Sequence, residues 1–475
     1  MNFLSMRLFF LFSVVGILTS SSLQAQSLRF DLYRDRQEPD WATRKSGDFY
    51  STLYFTQQLG VRYTKSNGSG TDYLFGNSRG TVLEDGEEFP LVTSLQLRNY
   101  WILHRTMDLD MSLQGSYYHY PMDTQEDDFI FNLSEEGIFA TFSLEFAPSD
   151  YFKVRAYDNP SLLTEYVDAR GLIDNDGGSR YERFINEAGL NADWLIAKDQ
   201  NLGASVERKD IKPLDDEFDF QEGDRTTFSL TYEKEYEPYG IVGATARLIE
   251  QGYADRRRSG SRLQEYFVFT DLNVTDFSRA GASFGVSMSD PEVNSLGDDE
   301  VTETIGNAFI ATDMSKRASH RLSYSRALSS GFLSANELQD IFRYNFGWVG
   351  DFWRWDAFYN HRNVDALSTV VSGYADNELG ITGHYSISKL STLRLFLSLN
   401  ERDNEEANQV EIEGLPADLV ADYDTMRADV SIYRDIMENL TAMIGFGYVD
   451  RDSDSTLLDF DRMTYFARLT YRQQF

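Results

Sequence analysis

The residues of this chain with chemistry to offer are charged side chains set among apolar ones at a spacing of two. Arg343, Arg354, Arg394, Arg427 and Arg468 each sit beside apolar or aromatic residues, and Glu145, Asp193, Glu233 and Asp271 repeat the arrangement earlier in the chain. Successive side chains of an extended strand point to opposite faces. These residues would therefore share one polar face, with Arg62, Arg98, Lys153, Arg155, Arg247 and Arg472 and with Asp110, Glu207 and Glu265 in the same phase. Such a face selects and orients charged solutes; it does not transform them. The later strands are rich in Arg, whereas the acids lie mainly in the first two-thirds. One expectation is a field running from a basic wall, Arg343 to Arg472, to a more acidic one. The other is that these charges pair with neighbours and only solvate the face.

Other constellations are weaker. Asp174-Asn175-Asp176-Gly177 and Asp450-Arg451-Asp452-Ser453-Asp454 alternate oxygen ligands, yet neither is followed by the bidentate Glu of an EF-hand loop. Both read as solvated loop acid; an ion held there would be Ca²⁺ or Mg²⁺ bridging to anionic lipopolysaccharide. No other cofactor is expected. Gly76-Asn77-Ser78-Arg79-Gly80 matches GxSxG but lies in a polar loop, not at the strand–turn–helix corner a nucleophile elbow needs. The histidines, His104, His119, His320, His361 and His384, are scattered and form no HExxH. His361 with Asp365 and His119 with Asp123 are the rim pairs closest to a catalytic arrangement, and girdle or loop roles suit them better. No enzymatic activity is expected.

The elements that would position these residues have one texture. From Asp48 to the last residue, stretches of about 8–14 residues alternate apolar with polar: Leu109, Met111 and Leu113; Phe142, Leu144 and Phe146; Leu393, Leu395, Leu397 and Leu399. Short polar turns fall near 104–105, 147–150, 197–200, 237–240, 275–278, 315–318, 350–351, 388–389 and 435–438. Between them lie longer acidic stretches, about 65–89, 159–179, 209–224, 289–300, 362–375, 402–420 and 450–462. Short turns at one end and long loops at the other describe an all-β fold: a single transmembrane, antiparallel, up-and-down β-barrel of about 20 strands, 18 to 22, with short periplasmic turns and long acidic extracellular loops. A sandwich would turn its polar face outward around one core, and a propeller would show a blade repeat. Aromatic residues near strand ends, Tyr151-Phe152 and Phe352-Trp353 among them, suit interfacial girdles.

Composition narrows the function. The 475 residues carry 44 Lys+Arg against 76 Asp+Glu, a formal charge of −32. That balance excludes a nucleic-acid partner, which needs a basic surface. With no cysteine there is no disulfide and no thiolate metal site. A mean hydropathy of −0.43 argues against a bundle of membrane helices. The opening, Arg7 followed by an apolar run from about Leu8 to Leu18 and then Leu23-Gln24-Ala25, reads as a secretory signal cleaved after Ala25. The expected organisation is a signal peptide at 1–25, a short periplasmic segment at 26–48 and a barrel at 49–475.

The last strand, Met463 to Phe475, places Tyr465, Ala467, Leu469, Tyr471 and Phe475 on one face and ends on Phe475. It resembles the C-terminal signal, carried here by Tyr471 and Phe475, that outer-membrane barrels present to the barrel-assembly machinery; Gln473 departs from the usual hydrophobic residue. The run Gly47-Asp48-Phe49-Tyr50-Ser51-Thr52-Leu53, the strand through Tyr63 and the long series of hairpins resemble the β-barrel porins often linked to exopolysaccharide operons. The resemblance covers most of the chain by pattern and carries over no functional residue. It implies a channel of the bacterial outer membrane, in contact with outer-membrane lipid and lipopolysaccharide, for diffusion or export of polar solutes, saccharides or polysaccharide. The alternative is a non-conducting surface barrel, an adhesin or receptor acting through its acidic loops. Twenty strands enclose about 40 Å, which side chains alone do not fill. The lumen would hold water, a folded loop or a plug, and 26–48 is too short for the plug domain of a TonB-dependent receptor.

Overall fold

A computed structural model describes residues 39–68, 86–89, 91–119, 128–131, 141–167, 179–214, 222–254, 260–291, 300–329, 337–366, 373–404, 422–453 and 459–475. Its strands are β1 (Arg44–Ser46), β2 (Phe49–Gly68), β3 (Gly86–Glu88), β4 (Leu91–His104), β5 (Met107–His119), β6 (Asp128–Phe131), β7 (Thr141–Ser149), β8 (Phe152–Val167), β9 (Ser179–Ala197), β10 (Gln200–Pro213), β11 (Gly223–Tyr236) and β12 (Gly240–Tyr253). They continue as β13 (Ser261–Thr275), β14 (Ser278–Pro291), β15 (Val301–Asp313), β16 (Ala318–Ser329), β17 (Glu337–Val349), β18 (Trp353–Ala366), β19 (Tyr374–Ser388), β20 (Ser391–Asn404), β21 (Tyr423–Met437), β22 (Leu440–Ser453) and β23 (Phe460–Gln474).

Twenty of these form one closed antiparallel ring: β2, β4, β5, β7 and then β8 through β23, with β23 returning to β2. The short β3 continues the line of β4, since Arg62↔Glu88 and Leu59↔Leu91 share one register along β2. The short β6 and β7 lie along the same edge of β5, but two residues separate Ser112 from Gly115 on β5 where nine separate Phe131 from Thr141 on the partner.

Alternation sets which face each residue joins. On β20, Leu393, Leu395, Leu397 and Leu399 face outward and Arg394, Phe396, Ser398 and Asn400 inward. The outward apolar run stops at a charge: Lys65 on β2, Arg208 on β10, Glu250 on β12, Glu401 on β20. About ten residues of tilted strand lie below that level, a belt about 25 Å tall, which matches the hydrocarbon thickness a barrel must cover. Large apolar side chains on this face are therefore exposed, Phe284 at 66% and Val268 at 59%. Water would penalise that exposure, and lipid removes the penalty. Aromatic side chains rim the belt at the short-turn end, including Trp101, Tyr151, Trp194, Phe352 and Trp353. Tyr63, Tyr266 and Tyr324 rim it at the other.

All nine hairpin turns fall where the sequence places them, with two to four residues between strands. The turns are laced together, because a carbonyl of each accepts a backbone N–H from the ring strand that follows the hairpin. Leu195 donates to Tyr151, Asn273 to Tyr239 and Asp313 to Phe277, each at 2.8 Å. The opposite end differs from expectation. Strands run on into segments read as loop: β8 to Val167, β20 to Asn404, β22 to Ser453. Connections at 120–127, 254–260 and 330–336 are additional to the seven longer stretches read from sequence. Above the belt the outer face is wet, so both faces are polar and the alternation fades, while the hydrogen-bonded ladder continues.

Residues 39–48 tuck against the closing seam. Gly47, at φ +62°, turns β1 back along the start of β2, so that β1 covers the edge of β2 below the point where β23 ends. Thr43 N donates to Ser51 O at 3.1 Å, and its hydroxyl bonds to the Phe475 carbonyl. Gln474 Nε2 donates to Trp41 O at 2.9 Å. The Arg98 guanidinium lies 4.4 Å from the centre of the Trp41 ring.

Candidate functional site

The inward face of the ring collects the chain's polar chemistry. Arg343, Arg354, Arg394, Arg427 and Arg468 lie on it, as do Glu145, Asp193, Glu233 and Asp271. Tyr471 and Phe475 lie outward on β23 and its end.

Charge is unevenly divided around this face. Among the described side chains, β16 to β23 with β2 and β4 turn thirteen arginines and six carboxylates inward, a net of +7. Strands β5 to β15 turn in seven basic and twelve acidic residues, a net of −5. The described inward face is thus close to neutral, although the chain carries −32. Many of these charges are paired. Lys153 meets Glu145 at 2.6 Å, Arg247 meets Glu265 at 3.1 Å, and Arg279 grips both oxygens of Asp271. On the basic wall Arg427 bonds Asp429 at 3.0 Å, and Arg354 lies 3.4 Å from Asp356. Arg343 and Arg394 make no ion pair among the described residues; the charges acting on Arg343 are Arg362, Glu378 and Arg321.

Two further features divide the lumen. On β12, β13 and β15 the inward residues Ile249, Leu263, Phe267, Phe269 and Ile305 form a buried apolar cluster, joined by Leu328. Beside it β14 turns in small residues from Gly281 to Ser289. Gly285 is one, because a Cβ there would stand 2.1 Å from the Tyr266 carbonyl oxygen and 2.4 Å from Phe267 Cβ. The Oγ atoms of Ser287 and Ser289 are buried and make no hydrogen bond. Facing the loop end of the other wall, arginine and aromatic side chains stack in sequence from β18 to β23. Arg362 and Arg402 lie over Tyr374 at 5.7 and 4.5 Å, Arg402 and Arg451 over Tyr423 at 5.2 and 4.4 Å, and Arg451 over Phe460 at 5.1 Å. Arg402 is also held by Asp376, Nε to Oδ1 at 2.5 Å and Nη2 to Oδ2 at 2.8 Å.

The remaining candidates separate. His361 lies outward, with Nδ1 at 2.8 Å from Asn377 Oδ1, and Asp365 instead accepts from Asn363 at 3.1 Å. His119 stacks on Tyr117 at 6.4 Å. Asp123, the GxSxG segment and Asp174 to Gly177 lie outside the described residues. Asp450 and Asp452 belong to β22, both on its outer face, with Arg451 between them pointing inward. They are strand residues, and the ladder fixes their spacing along one face; Asp454 lies outside the described residues. Sequence reading missed His384 as a lumen residue, although its alternation with the outward Ile381, Gly383 and Tyr385 marks it. It also missed Arg402 and Arg451, which sit where alternation has faded.

No protein-family profile and no curated protein matches the sequence. Solved structures do. The FrpB iron transporter from Neisseria meningitidis gives a TM-score of 0.51 at 8% identity, over 88% of this chain and 81% of that one. The siderophore receptor PirA from Pseudomonas aeruginosa gives 0.46 at 8% identity, over 89% and 80%. A loop-deletion mutant of OmpT, an outer membrane protein of Vibrio cholerae, gives 0.36 at 8% identity, over 90% and 100%. At such identities the likeness to FrpB is one of fold, that of a large outer-membrane β-barrel.

Proposed function

We propose that this chain is a channel of the bacterial outer membrane, through which small polar solutes, saccharides among them, pass along the inner face of the barrel without chemical change. The observation that carries this reading is the separation of faces around one closed ring. Apolar and aromatic residues point outward over a membrane-thick belt, and a nearly charge-balanced polar wall points inward. A ring of twenty strands is too wide for its own side chains to fill. A second reading, a surface barrel acting through its loops with a closed lumen, is favoured by the buried apolar cluster around Phe267 and Phe269 on the inward face.

Swelling of proteoliposomes in iso-osmotic sugars separates the two. The channel predicts swelling in a monosaccharide that slows as the sugar lengthens. A rate equal to protein-free liposomes for every sugar would support the closed barrel.

A further inference from the structure

At the short-turn mouth of the basic wall three consecutive strands bring Arg354, His384 and Arg394 into one row. Arg354 on β18 is directly paired with His384 on β19, which is paired with Arg394 on β20; Ser431 on β21 is next. All four belong to the inward face. Directly paired residues of neighbouring strands hold their side chains about 5 Å apart, so the two guanidiniums flank the His384 ring. The row is short of compensation. The charges acting on His384 are Arg394, Arg354 and Asp356. Asp356 is the one carboxylate among them, and it does not satisfy the row. Arg354 Nε and Asp356 Oδ2 stand 3.4 Å apart, yet neither atom makes a hydrogen bond. His384 Nε2 is buried and makes none either. Arg394 has no ion pair among the described residues. On the same wall Arg427 is committed to Asp429 and Arg402 to Asp376.

We propose that Arg354, His384 and Arg394 form a binding site for a small oxyanion, a phosphate, sulfate or carboxylate group, on the lumen wall. Each guanidinium presents a planar fork of donors that matches two oxygens of such a group. Arg354 and Arg394 are two strands apart, about 10 Å, so their long side chains reach one anion from either side. His384 Nε2, between them, and the Ser431 hydroxyl, beside Arg394, supply further donors. An anion held there neutralises the two flanking guanidinium charges. The site makes the passage select for solutes that carry such a group, and it rests on the channel reading above.

The test uses the full-length protein in planar bilayers under a KCl gradient, with inorganic phosphate added at constant ionic strength. Phosphate is expected to lower the chloride current of the wild type. The Arg354→Gln/Arg394→Gln variant should lose that inhibition and move its reversal potential toward the potassium value. Arg208→Gln, which removes an exposed outward arginine, should keep both properties of the wild type. Equal inhibition of the double variant and the wild type would overturn the site while leaving the channel standing. If the wild type passes no current, the channel reading fails and calorimetric titration with phosphate decides the site. Heat that disappears in the double variant supports it, and no heat from the wild type overturns it.

Discussion

Replacing Arg402 by Met is expected to destabilise the barrel by about 3–5 kcal/mol, more than any other single removal of a lumen charge. Arg402 is 8% exposed, and its partner Asp376 lies on the adjacent strand, directly across the ladder. Both guanidinium–carboxylate contacts are short, and two tyrosine rings, Tyr374 and Tyr423, flank the guanidinium. Removing the cation leaves a carboxylate stripped of water and of its partner, and that uncompensated charge is the main cost. Removing both ends of the pair avoids it. The variant Arg402→Met/Asp376→Leu should therefore recover most of the loss. Arg402→Lys should recover less, because an ammonium lacks the fork and the flat stacking face. Urea unfolding in lipid vesicles, followed by tryptophan fluorescence, measures all three. Equal stability of Arg402→Met and the wild type would show that water reaches Asp376 freely.

The second large effect concerns closure. Neighbouring ring strands are joined through hairpins or single loops, whereas β2 must find β23 nearly the whole chain away. The seam has fifteen registered pairs, Tyr54↔Gln474 through Gly68↔Phe460. It ends on two backbone bonds between Leu53 and Phe475, Phe475 N to Leu53 O at 2.8 Å and Leu53 N to Phe475 O at 3.2 Å. The entropy of closing so long a loop falls on this one ladder. Deleting Phe475 removes both terminal bonds, the anchor of Thr43, and the residue that resembles the assembly signal. The expected result is loss of the heat-modifiable folded band on a gel, with the chain left degraded or unassembled. Because the chain has no cysteine, the seam can also be read directly. Val61→Cys with Ala467→Cys, an opposed pair on the outer face, should form a disulfide only in the folded protein. A Phe475 deletion that still yields the folded band and the cross-link would refute the role given to the terminus.

Where alternation had a lipid face to contrast with a polar one, the fold was legible. The outward leucines of β20 and the inward Arg394 and Arg427 can be assigned from their neighbours alone. The Arg–aromatic stack could not be read this way. Arg362 and Tyr374 lie in the stretch 362–375, Arg402 opens 402–420, and Arg451 and Phe460 lie in 450–462, all of which looked like acidic loop. Above the lipid both strand faces are polar, so periodicity no longer reports the ladder that holds these residues in place. Pairing was illegible for another reason. Asp376 and Arg402 are 26 residues apart, and only the register across β19 and β20 brings them together. The row Arg354–His384–Arg394 is likewise a property of register; the sequence puts the two arginines on one wall but does not show that His384 stands between them.

The central claim is that solutes cross the membrane along the inward face of a closed ring. Adjacent residues on one strand test it most directly. Asn345 and Tyr344 are both exposed neighbours on β17, Asn345 inward and Tyr344 outward. Single-channel recording of Asn345→Cys and Tyr344→Cys, before and after a bulky water-soluble thiol reagent, distinguishes the faces. The account predicts discrete step conductances from both proteins, lowered by the reagent in Asn345→Cys and unchanged in Tyr344→Cys. Absence of steps from folded protein, or an equal effect of the reagent at both positions, would contradict it.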